Sequence, residues 1–502
     1  MLVHMADQST EFDGEILVAS RIVDYLSSGL YATPAACIKE LINNSYDADA
    51  TDVKVFVKPE ADRIIIEDNG TGMSKSEFET HFRRLAESHK RDDGDTTGSG
   101  RPKIGKIGIG FIAANEICDL LEIESTKEGS TELLRVTIDF SKMREDPEAR
   151  KRDDTDLAKA DYHGLIDVAE FDNHFTNLYL LKIRPEARRV FSGIERIAGP
   201  DTKLSLYGLK EISVENILGS PDAPSWDKFD AYSETMLRVA LNVPVQYHNR
   251  VCKSAEQMAQ LEQFIEKTKA LNFNVKYDGA DLRKPILFRG DSDRSFVKPF
   301  KFSGELVGAE GYFYAQSGVL KPRDLNGLLI RIRNSAVGEY DRSFLNYPSE
   351  SGTLFQRWIS CELWASDGLE EALNIDRRTL RPTHDAVVEL RENFHKELSA
   401  VIMTVRKELH GKSSQLRKDD TIAAQTTALK AIVRTMRNQD SSPAVDALEG
   451  LISKNTYSSG LSRKYSSAEF FRMVERALTD THVDSELKFQ ILNRLLELLL
   501  RP

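Results

Sequence analysis

The sequence predicts an α/β protein of the mixed α+β kind, built from three successive parts. Strand-like apolar runs such as Leu328–Arg333 alternate with helical patterns such as Ala255–Leu271, and this alternation is the main evidence for the fold class. The first two parts are expected at 1–212 and 213–410. In residues 411–502, Lys412–Pro443 is rich in Ser, Thr, Gln and charge, and the end of the chain carries helical apolar patterns, which predicts a helical tail.

Composition narrows the class of protein. The 502 residues are enough for three domains of ordinary size. A formal net charge of −11 and a pI near 5.6 disfavour generic electrostatic attachment to DNA. The cysteines form no metal-binding spacing, and no apolar run resembles a signal peptide or is long enough to span a bilayer. We therefore expect a cytoplasmic protein without a membrane segment.

The segment Glu40–Ala48 predicts a helix with two chemically distinct sides. Glu40, Asn44 and Asp47 fall at i, i+4 and i+7, so they share one helical face. Apolar residues occupy the other side, as expected where a helix packs on a sheet: Cys37, Ile38, Leu41 and Ile42. The oxygen-bearing face fits either a divalent metal with an oriented water or an ordinary solvated helix surface.

An apolar run and a glycine-rich run follow this helix. Ile64–Ile66 leads into Asp68–Met73, which predicts a buried strand that ends in a tight turn. Further on, Gly105–Gly110 precedes a predicted helix at 112–121, and glycines before a helix let backbone amides surround an anion. The run lacks the Gly-Lys-Ser/Thr ending of a Walker loop, and no strand precedes it as in a Rossmann motif.

Together and in this order, the three segments resemble the GHKL ATPases, the superfamily of gyrase, the heat-shock-90 chaperones, histidine kinases and MutL. The resemblance implies a Bergerat-type ATP-binding sandwich followed by a transducer-like middle domain. It also implies ATP and Mg2+ as ligands and ATP hydrolysis as the reaction. We expect this nucleotide site within residues 1–212.

The resemblance assigns a role to each candidate position. Glu40 matches the carboxylate that takes a proton from the attacking water, and Asn44 matches the amide that holds magnesium. Asp68 matches the acceptor for the adenine amino group, while Asp47 is expected to brace nearby backbone at the nucleotide site. The other candidate contacts to ATP are Gly70, Gly72, Met73, Lys90, Gly105, Lys106, Ile107, Gly108, Ile109, Gly110, Phe111 and Thr202.

Two further segments fit the same resemblance. Asp201–Leu206 is similar to the late strand whose threonine supports the adenine site, although Asp201 replaces the usual glycine before Thr202. Ser88–Arg101 is polar and rich in glycine, so it predicts a mobile loop within an ATP lid at about 74–104. The alternative for this loop is an insertion without a role in nucleotide binding.

A second catalytic candidate comes from the middle part of the chain. Ala372–Leu380 resembles the segment of the heat-shock-90 middle domain whose arginine reaches the γ-phosphate. Arg377 matches that arginine, and a planar, permanently charged guanidinium suits the stabilisation of a transferring phosphoryl group. Its neighbours Asp376 and Arg378 depart from the family's Ser and Glu. The alternative is a pair of surface arginines at the start of a helix.

The amino-terminal pattern favours a different branch of the superfamily. Ile16–Leu26 and Ala48–Thr51 are more similar to MutL than to the chaperones. The chain therefore resembles a divergent, stand-alone member. Two functions stay open: a chaperone-like conformational switch that acts on protein partners, and a MutL- or MORC-like clamp that acts on DNA in genome maintenance or defence. A histidine kinase is disfavoured because no phosphoacceptor-histidine helix precedes the ATP site.

The tail carries apolar residues at helical spacing, from Phe470 to Leu478 and from Leu487 to Leu499. Such a pattern requires a partner surface. It either covers the chain's own middle domain or forms a symmetric dimer interface. We expect a homodimer in which ATP binding closes the lid and draws the ATPase domains together.

Overall fold

The computed structural model describes most of the first 410 residues and a few of the remainder. The described residues are 10–19, 33–57, 62–82, 84–85, 94–105, 113–141, 157–169, 173–193, 203–348, 353–374, 377–410, 476, 479, 484–488 and 490. The chain divides into two compact units, Met1–Lys412 and Ser413–Pro502. The sequence-based boundaries at 212 and 410 stay predictions.

A ten-stranded mixed sheet forms the larger layer of the first unit. Its strands are β1 Thr10–Ala19, β2 Asp52–Val57, β3 Arg63–Asp68, β4 Arg84–Leu85, β5 Cys118–Thr126, β6 Glu132–Asp139, β7 Leu157–Val168, β8 Phe175–Ile183, β9 Asn274–Tyr277 and β10 Ala280–Asp281. Their order across the sheet is β10-β9-β2-β3-β8-β5-β6-β7-β1-β4. Strand β1 pairs with β4 and β2 with β9 in parallel, and the other neighbours are antiparallel. The sheet therefore includes strands from well beyond the predicted nucleotide segments.

Helices pack around both sheets of this unit. The described helices are α1 Pro34–Asp47, α2 Lys75–Phe82, α3 Ala114–Ile117, α4 Pro185–Phe191, α5 Glu211–Leu218, α6 Ala231–Asn242, α7 Ala255–Lys269, α8 Thr353–Gln356 and α9 Asp385–Thr404. Shorter 3-10 turns lie at Trp226–Lys228, Ser292–Arg294, Arg323–Leu325 and Asp367–Ala372, and a π-helical turn at Val405–His410. Helix α7 confirms the helix predicted at Ala255–Leu271.

Helix α1 begins where its sequence indicates. The side chain of Thr33 accepts a hydrogen bond from the Ala36 N–H at 3.4 Å, and Pro34 occupies the first turn, where no N–H is needed. The predicted apolar side is in the core, with exposures of at most 1% for Cys37, Ile38, Leu41 and Ile42. The prediction of a helix packed through this side is confirmed.

A second, five-stranded sheet lies in the same unit. Its strands are β11 Ser295–Ser303, β12 Gly308–Gln316, β13 Gly327–Ile332, β14 Ser335–Asp341 and β15 Ile359–Ala365, in the order β11-β12-β15-β13-β14. Strand β13 confirms the strand predicted at Leu328–Arg333. Strands β13 and β14 are joined by a tight turn in which Arg333 and Asn334 both have positive φ, at 49° and 70°.

The helix predicted at 112–121 is confirmed only at Ala114–Ile117 and is wrong from Cys118 onward. Helix α3 ends at Ile117 and β5 begins at the next residue. Along β5, Leu121 and Ile123 are buried, whereas Glu122 between them is only partly buried. This alternation has the period of a strand, and β5 is hydrogen-bonded on both edges, to β6 and β8.

In the second unit, the structure describes only a short stretch around 484–488. The N–H of Lys488 donates to the carbonyl of Asp484 at 2.8 Å, which is a helical hydrogen bond. Leu487 is 50% exposed there. Most of the predicted tail helices lie outside the described residues, so their partner surface stays a prediction. No helix in the described parts of either unit has the length and apolar character needed to cross a membrane.

Candidate functional site

Helix α1 carries the predicted polar row, namely Glu40, Asn44 and Asp47. Glu40 is 8% exposed, and the other two are half-buried. The residues lie one helical turn apart, so the row runs along the helix to its carboxyl end. Because the opposite side of α1 is fixed in the core, the helix holds three oxygen-bearing side chains in a defined line.

The carboxylate of Asp68 is buried at the end of β3 and anchored on both oxygens. Its Oδ2 accepts a hydrogen bond from the Ser45 Oγ at 2.7 Å, and its Oδ1 accepts one from the Gly70 N–H at 2.9 Å. Burial raises the pKa of Asp68, and the hydrogen bonds from Ser45, Gly70 and the Thr176 backbone oppose that rise. Helix α1 thus fixes the carboxylate through Ser45.

The turn after Asp68 requires glycine at two positions. A Cβ on Gly70 would lie 2.7 Å from the carbonyl oxygen of Ala48. Gly72 has a φ of 66°, and a Cβ there would collide with the carbonyl of Thr126. The N–H of Met73 then donates a hydrogen bond to the Ser125 Oγ at 2.9 Å. These contacts fix the path of the predicted adenine turn.

Thr176 is a residue of this region that sequence reasoning missed. It lies directly opposite Asp68 in the β3–β8 pair, and its Oγ1 is 3.0 Å from the Ser125 Oγ. The threonine expected here was Thr202, which lies outside the described residues. Just after it, Leu204 forms only an isolated bridge to Phe229. The feature of the sequence that could have identified Thr176 is its position near the start of the predominantly apolar strand β8.

The polar row meets the start of the predicted phosphate loop at its carboxyl end. Asp47 accepts the backbone N–H groups of Ile104 and Gly105, each at 2.7 Å. These contacts brace the entrance of the loop, whereas a contact of Asp47 with nucleotide stays a prediction. Several candidate residues lie outside the described residues: Lys90, Lys106, Ile107, Gly108, Ile109, Gly110, Phe111 and Thr202.

Residues 94–105, in the predicted lid, form a small anchored hairpin. Within it, the Thr97 N–H donates to the carbonyl of Arg101 at 2.8 Å. The Arg101 guanidinium donates to the carbonyl of Ala50 at 2.7 Å, and the Ser99 N–H donates to the Asp49 carboxylate at 2.9 Å. This half of the predicted mobile loop is therefore tied to the end of α1, and the lid itself stays a prediction.

The other end of the polar row opens on a cavity. Glu40 lines it together with Lys39, Arg238 of α6, Glu339 of β14 and Arg378. The Lys39 Nζ lies 3.9 Å from the Glu40 Oε1. The carboxylate predicted to be the general base therefore shares a cavity with three basic residues, Lys39, Arg238 and Arg378, and with a second carboxylate, Glu339, which is ion-paired with Arg238.

The structure brings Arg378, not Arg377, to this cavity. Arg377 has a φ of 50°, and its N–H donates to the carbonyl of Asn374 at 2.9 Å in a tight turn. The backbone of Arg378 packs against Gly338 of β14 so closely that a Cβ on that glycine would collide with the Arg378 carbonyl. The residue that departs from the family pattern thus lies beside Glu40, and the role given to Arg377 stays a prediction.

Comparison with known proteins identifies relatives of the amino-terminal part. Residues 31–172 match the family model described as histidine kinase-, DNA gyrase B-, and HSP90-like ATPase. The chain is 37% identical over 115 residues to a putative type II restriction enzyme, HgiDII, of Herpetosiphon aurantiacus. It is 28% identical over 151 residues to the chaperone protein HtpG of Gluconobacter oxydans, and 35% identical over 115 residues to the DNA mismatch repair protein MutL of Pelobacter propionicus.

Each of these matches covers only a minor part of this chain and of the relative. They cover 23%, 25% and 22% of this chain and 18%, 23% and 18% of the respective relatives. The matched range contains the polar row, Asp68 and Gly105, whereas Thr176 and Arg378 lie beyond it. The interpretation of those two residues therefore rests on their geometry.

Proposed function

We propose that this chain binds ATP with Mg2+ and hydrolyses it along helix α1, since residues 31–172 match the model of the histidine kinase-, DNA gyrase B- and HSP90-like ATPases. One observation carries the proposal, namely that α1 organises both ends of the site. Ser45 anchors Asp68, and Asp47 braces Gly105. Glu40 lines the cavity that it shares with Arg238 and Arg378. A nucleotide laid along α1 would meet a buried acceptor at one end and a carboxylate base at the other.

At the adenine end, the carboxylate of Asp68 accepts a hydrogen bond from the amino group of the base. A carboxylate offers about four lone-pair sites, and the contacts with Ser45, Gly70 and the Thr176 backbone use three of them, which leaves one for adenine. Guanine has a carbonyl where adenine has its amino group, so guanine would leave two acceptors facing each other. Thr176, opposite Asp68, supports the adenine acceptor, and the role that the sequence suggested for Thr202 stays a prediction.

At the phosphate end, the polar row supplies the chemistry. The half-buried amide of Asn44 offers a hard oxygen donor, which suits Mg2+ alongside phosphate oxygens and water. When bound, Mg2+ neutralises phosphate charge. Glu40, one turn earlier on α1, takes the proton from the attacking water.

Arg378 supplies the positive charge that faces the γ-phosphate. The proposal rests on its position in the cavity with Glu40, and Arg377 is the alternative suggested by sequence. A guanidinium suits this task because its charge is permanent and its N–H groups match phosphoryl oxygens. Since Arg378 and Glu40 belong to distant segments of the chain, hydrolysis would require both sheets of the first unit.

The output of the cycle is a conformational switch that acts on protein partners, with closure of a homodimer on ATP binding. Similarity to HtpG, a chaperone, and the net charge of −11 support this version. The second candidate is an ATP-operated clamp on DNA. It is favoured by similarity to MutL, a DNA mismatch repair protein, and to a putative restriction enzyme.

Two measurements test these proposals. Calorimetry with ATP, ADP and GTP, combined with turnover assays before and after removal of Mg2+ by EDTA, tests the ATPase. Binding of ATP but not GTP, with Mg2+-dependent turnover, is the expected result. DNA binding measured over a range of salt concentrations, with and without a nonhydrolysable ATP analogue, separates the two outputs. Analogue-dependent DNA binding that survives moderate salt would replace the protein switch by the clamp.

A further inference from the structure

Helix α1 has a second polar face that contacts the second sheet. Lys39 and Asn43 lie one residue before members of the polar row, so they form an adjacent line on the same helix. The Lys39 Nζ donates to the carbonyl of Ala336 at 3.1 Å, and the Asn43 Nδ2 donates to the Ser335 Oγ at 3.4 Å. The β13–β14 turn, Arg333–Ala336, thus lies along the helix that holds the proposed nucleotide site.

The side chain of Arg333 in this turn joins two separate segments. It is only 2% exposed. Its Nη1 donates to the carbonyl of Lys103 at 2.7 Å, and its Nη2 lies 3.3 Å from Asp95, both in the 94–105 hairpin. Its Nε donates to Asp367 at 3.0 Å, and its Nη2 also lies 3.3 Å from Glu370, both in the 3-10 turn after β15. One guanidinium therefore contacts four groups.

Both segments lead to the proposed phosphate end. Lys103 lies two residues before Gly105, whose N–H is bound by Asp47 at the entrance of the phosphate loop. On the other side, Ala372 at the end of the 3-10 turn Asp367–Ala372 accepts a hydrogen bond at 2.8 Å from the N–H of Arg381, in the segment that carries Arg378. The contacts of Arg333 therefore connect the loop entrance with the arginine segment through a single buried cation.

We propose that Arg333 is a positioning residue that couples the phosphate-loop entrance to the Arg378 segment. Holding both segments keeps Arg378 in register with Glu40 when nucleotide occupies the loop. Only arginine suits this position, because its rigid fork presents five N–H donors in different directions, whereas lysine presents one point charge. This inference rests on the proposed ATPase function and adds a residue outside the nucleotide site itself.

A purely structural role makes a different prediction. A buried ion cluster that only stabilises the fold would lower the stability of the variant without separating chemistry from binding. A coupling residue instead lowers turnover at saturating ATP, while the affinity for ADP, which lacks the γ-phosphate, stays close to that of the wild type. Coupling also predicts that nucleotide binding no longer protects the Arg378 segment once Arg333 is replaced.

The test compares Arg333→Gln with a matched control. Arg135→Gln also removes an arginine bound to two carboxylates, Glu124 at 3.1 Å and Asp167 at 2.8 Å, within the large sheet. We expect Arg333→Gln to lower kcat about tenfold with little change in ADP affinity, and Arg135→Gln to change neither. Hydrogen exchange with a nonhydrolysable ATP analogue should show protection of residues 377–381 in the wild type and in the control, but not in Arg333→Gln.

A milder variant keeps the test decisive if Arg333→Gln fails to fold. Asp95 is 70% exposed, and Asp95→Asn removes the charge of one of the two hairpin groups that Arg333 contacts, leaving its hydrogen bond to the Lys103 carbonyl in place. It should loosen residues 94–105 in hydrogen exchange and lower kcat in the same direction. Wild-type kcat and wild-type protection of 377–381 in a folded Arg333 or Asp95 variant would overturn the inference alone. A wild-type protein that neither binds nor hydrolyses ATP would overturn the proposed function and the inference together.

Discussion

Asp47 holds the N–H of Gly105 through its Oδ2 at a distance of 2.7 Å. The same helix fixes Asp68 through Ser45, two residues earlier. Helix α1 is therefore the frame of the site, because it joins the adenine turn to the entrance of the phosphate loop. A change at either end would be transmitted along one rigid element rather than through flexible loops.

Replacing Asp68 by asparagine should abolish ATP binding. The amide keeps a single acceptor oxygen, so the adenine amino group and the N–H groups of Gly70 and Thr176 would compete for it in a buried site. We expect a loss of affinity on the order of a hundredfold or more in calorimetry. Glu67→Gln is the control, since Glu67 makes only a surface ion pair with Lys54 at 4.0 Å. Unchanged affinity in Asp68→Asn would refute the adenine assignment.

The two neighbouring arginines should differ in their contribution to turnover. Arg378→Ala removes the guanidinium that shares the cavity with Glu40, so it should lower turnover strongly and leave ADP affinity nearly unchanged. Loss of such a charge-assisted contact with transferring phosphate costs on the order of 2–5 kcal/mol. Arg377→Ala should have the smaller effect in the same assay. If Arg377→Ala proves the more damaging, the family pattern is the better guide and the geometric assignment is wrong.

His248 should make the stability of the fold sensitive to acid. Burial, with help from the nearby Arg283 and Arg289, lowers the pKa of His248 to about 4, from 6.5. Below pH 6.5 the unfolded chain binds a proton at this residue that the folded protein does not, so stability falls as the pH falls toward 4. The loss between pH 6.5 and pH 5 is about 2 kcal/mol.

Urea unfolding at pH 7.5 and pH 5 checks this sign. The wild type should lose stability between the two conditions more steeply than His248→Gln, which has no group that titrates in this range. Equal losses in the two proteins would show that His248 is accessible to protons in the folded state.

The local elements of the site could be predicted from sequence because they depend on short-range patterns. The polar row of α1 follows from helical spacing, and the Gly70 and Gly72 turn follows from glycine chemistry after an apolar strand. The helix predicted at 112–121 was too long, because a short apolar segment does not distinguish the period of a helix from that of a strand. The residues from Cys118 form a strand because β5 pairs with both β6 and β8.

Two other residues depend on contacts between distant segments. Thr176 is recognisable only once β3 and β8 are paired, since Asp68 precedes it by more than a hundred residues. Arg378 reaches the Glu40 cavity through a turn in which Arg377 has positive φ, a conformation that its residue type does not favour. Neither the strand register nor this backbone conformation can be predicted from the local amino-acid composition.

The most direct test of the account is the separation of ATP binding from ATP hydrolysis in Glu40→Ala. The substitution removes the proposed base but leaves Asp68, Gly70 and the rest of the adenine turn intact. Calorimetry and phosphate release are measured on the wild type, on Glu40→Ala and on Asp68→Asn, which should fail to bind at all. Glu40→Ala should bind ATP like the wild type and release no phosphate above background. Equal turnover in Glu40→Ala and the wild type would contradict this prediction.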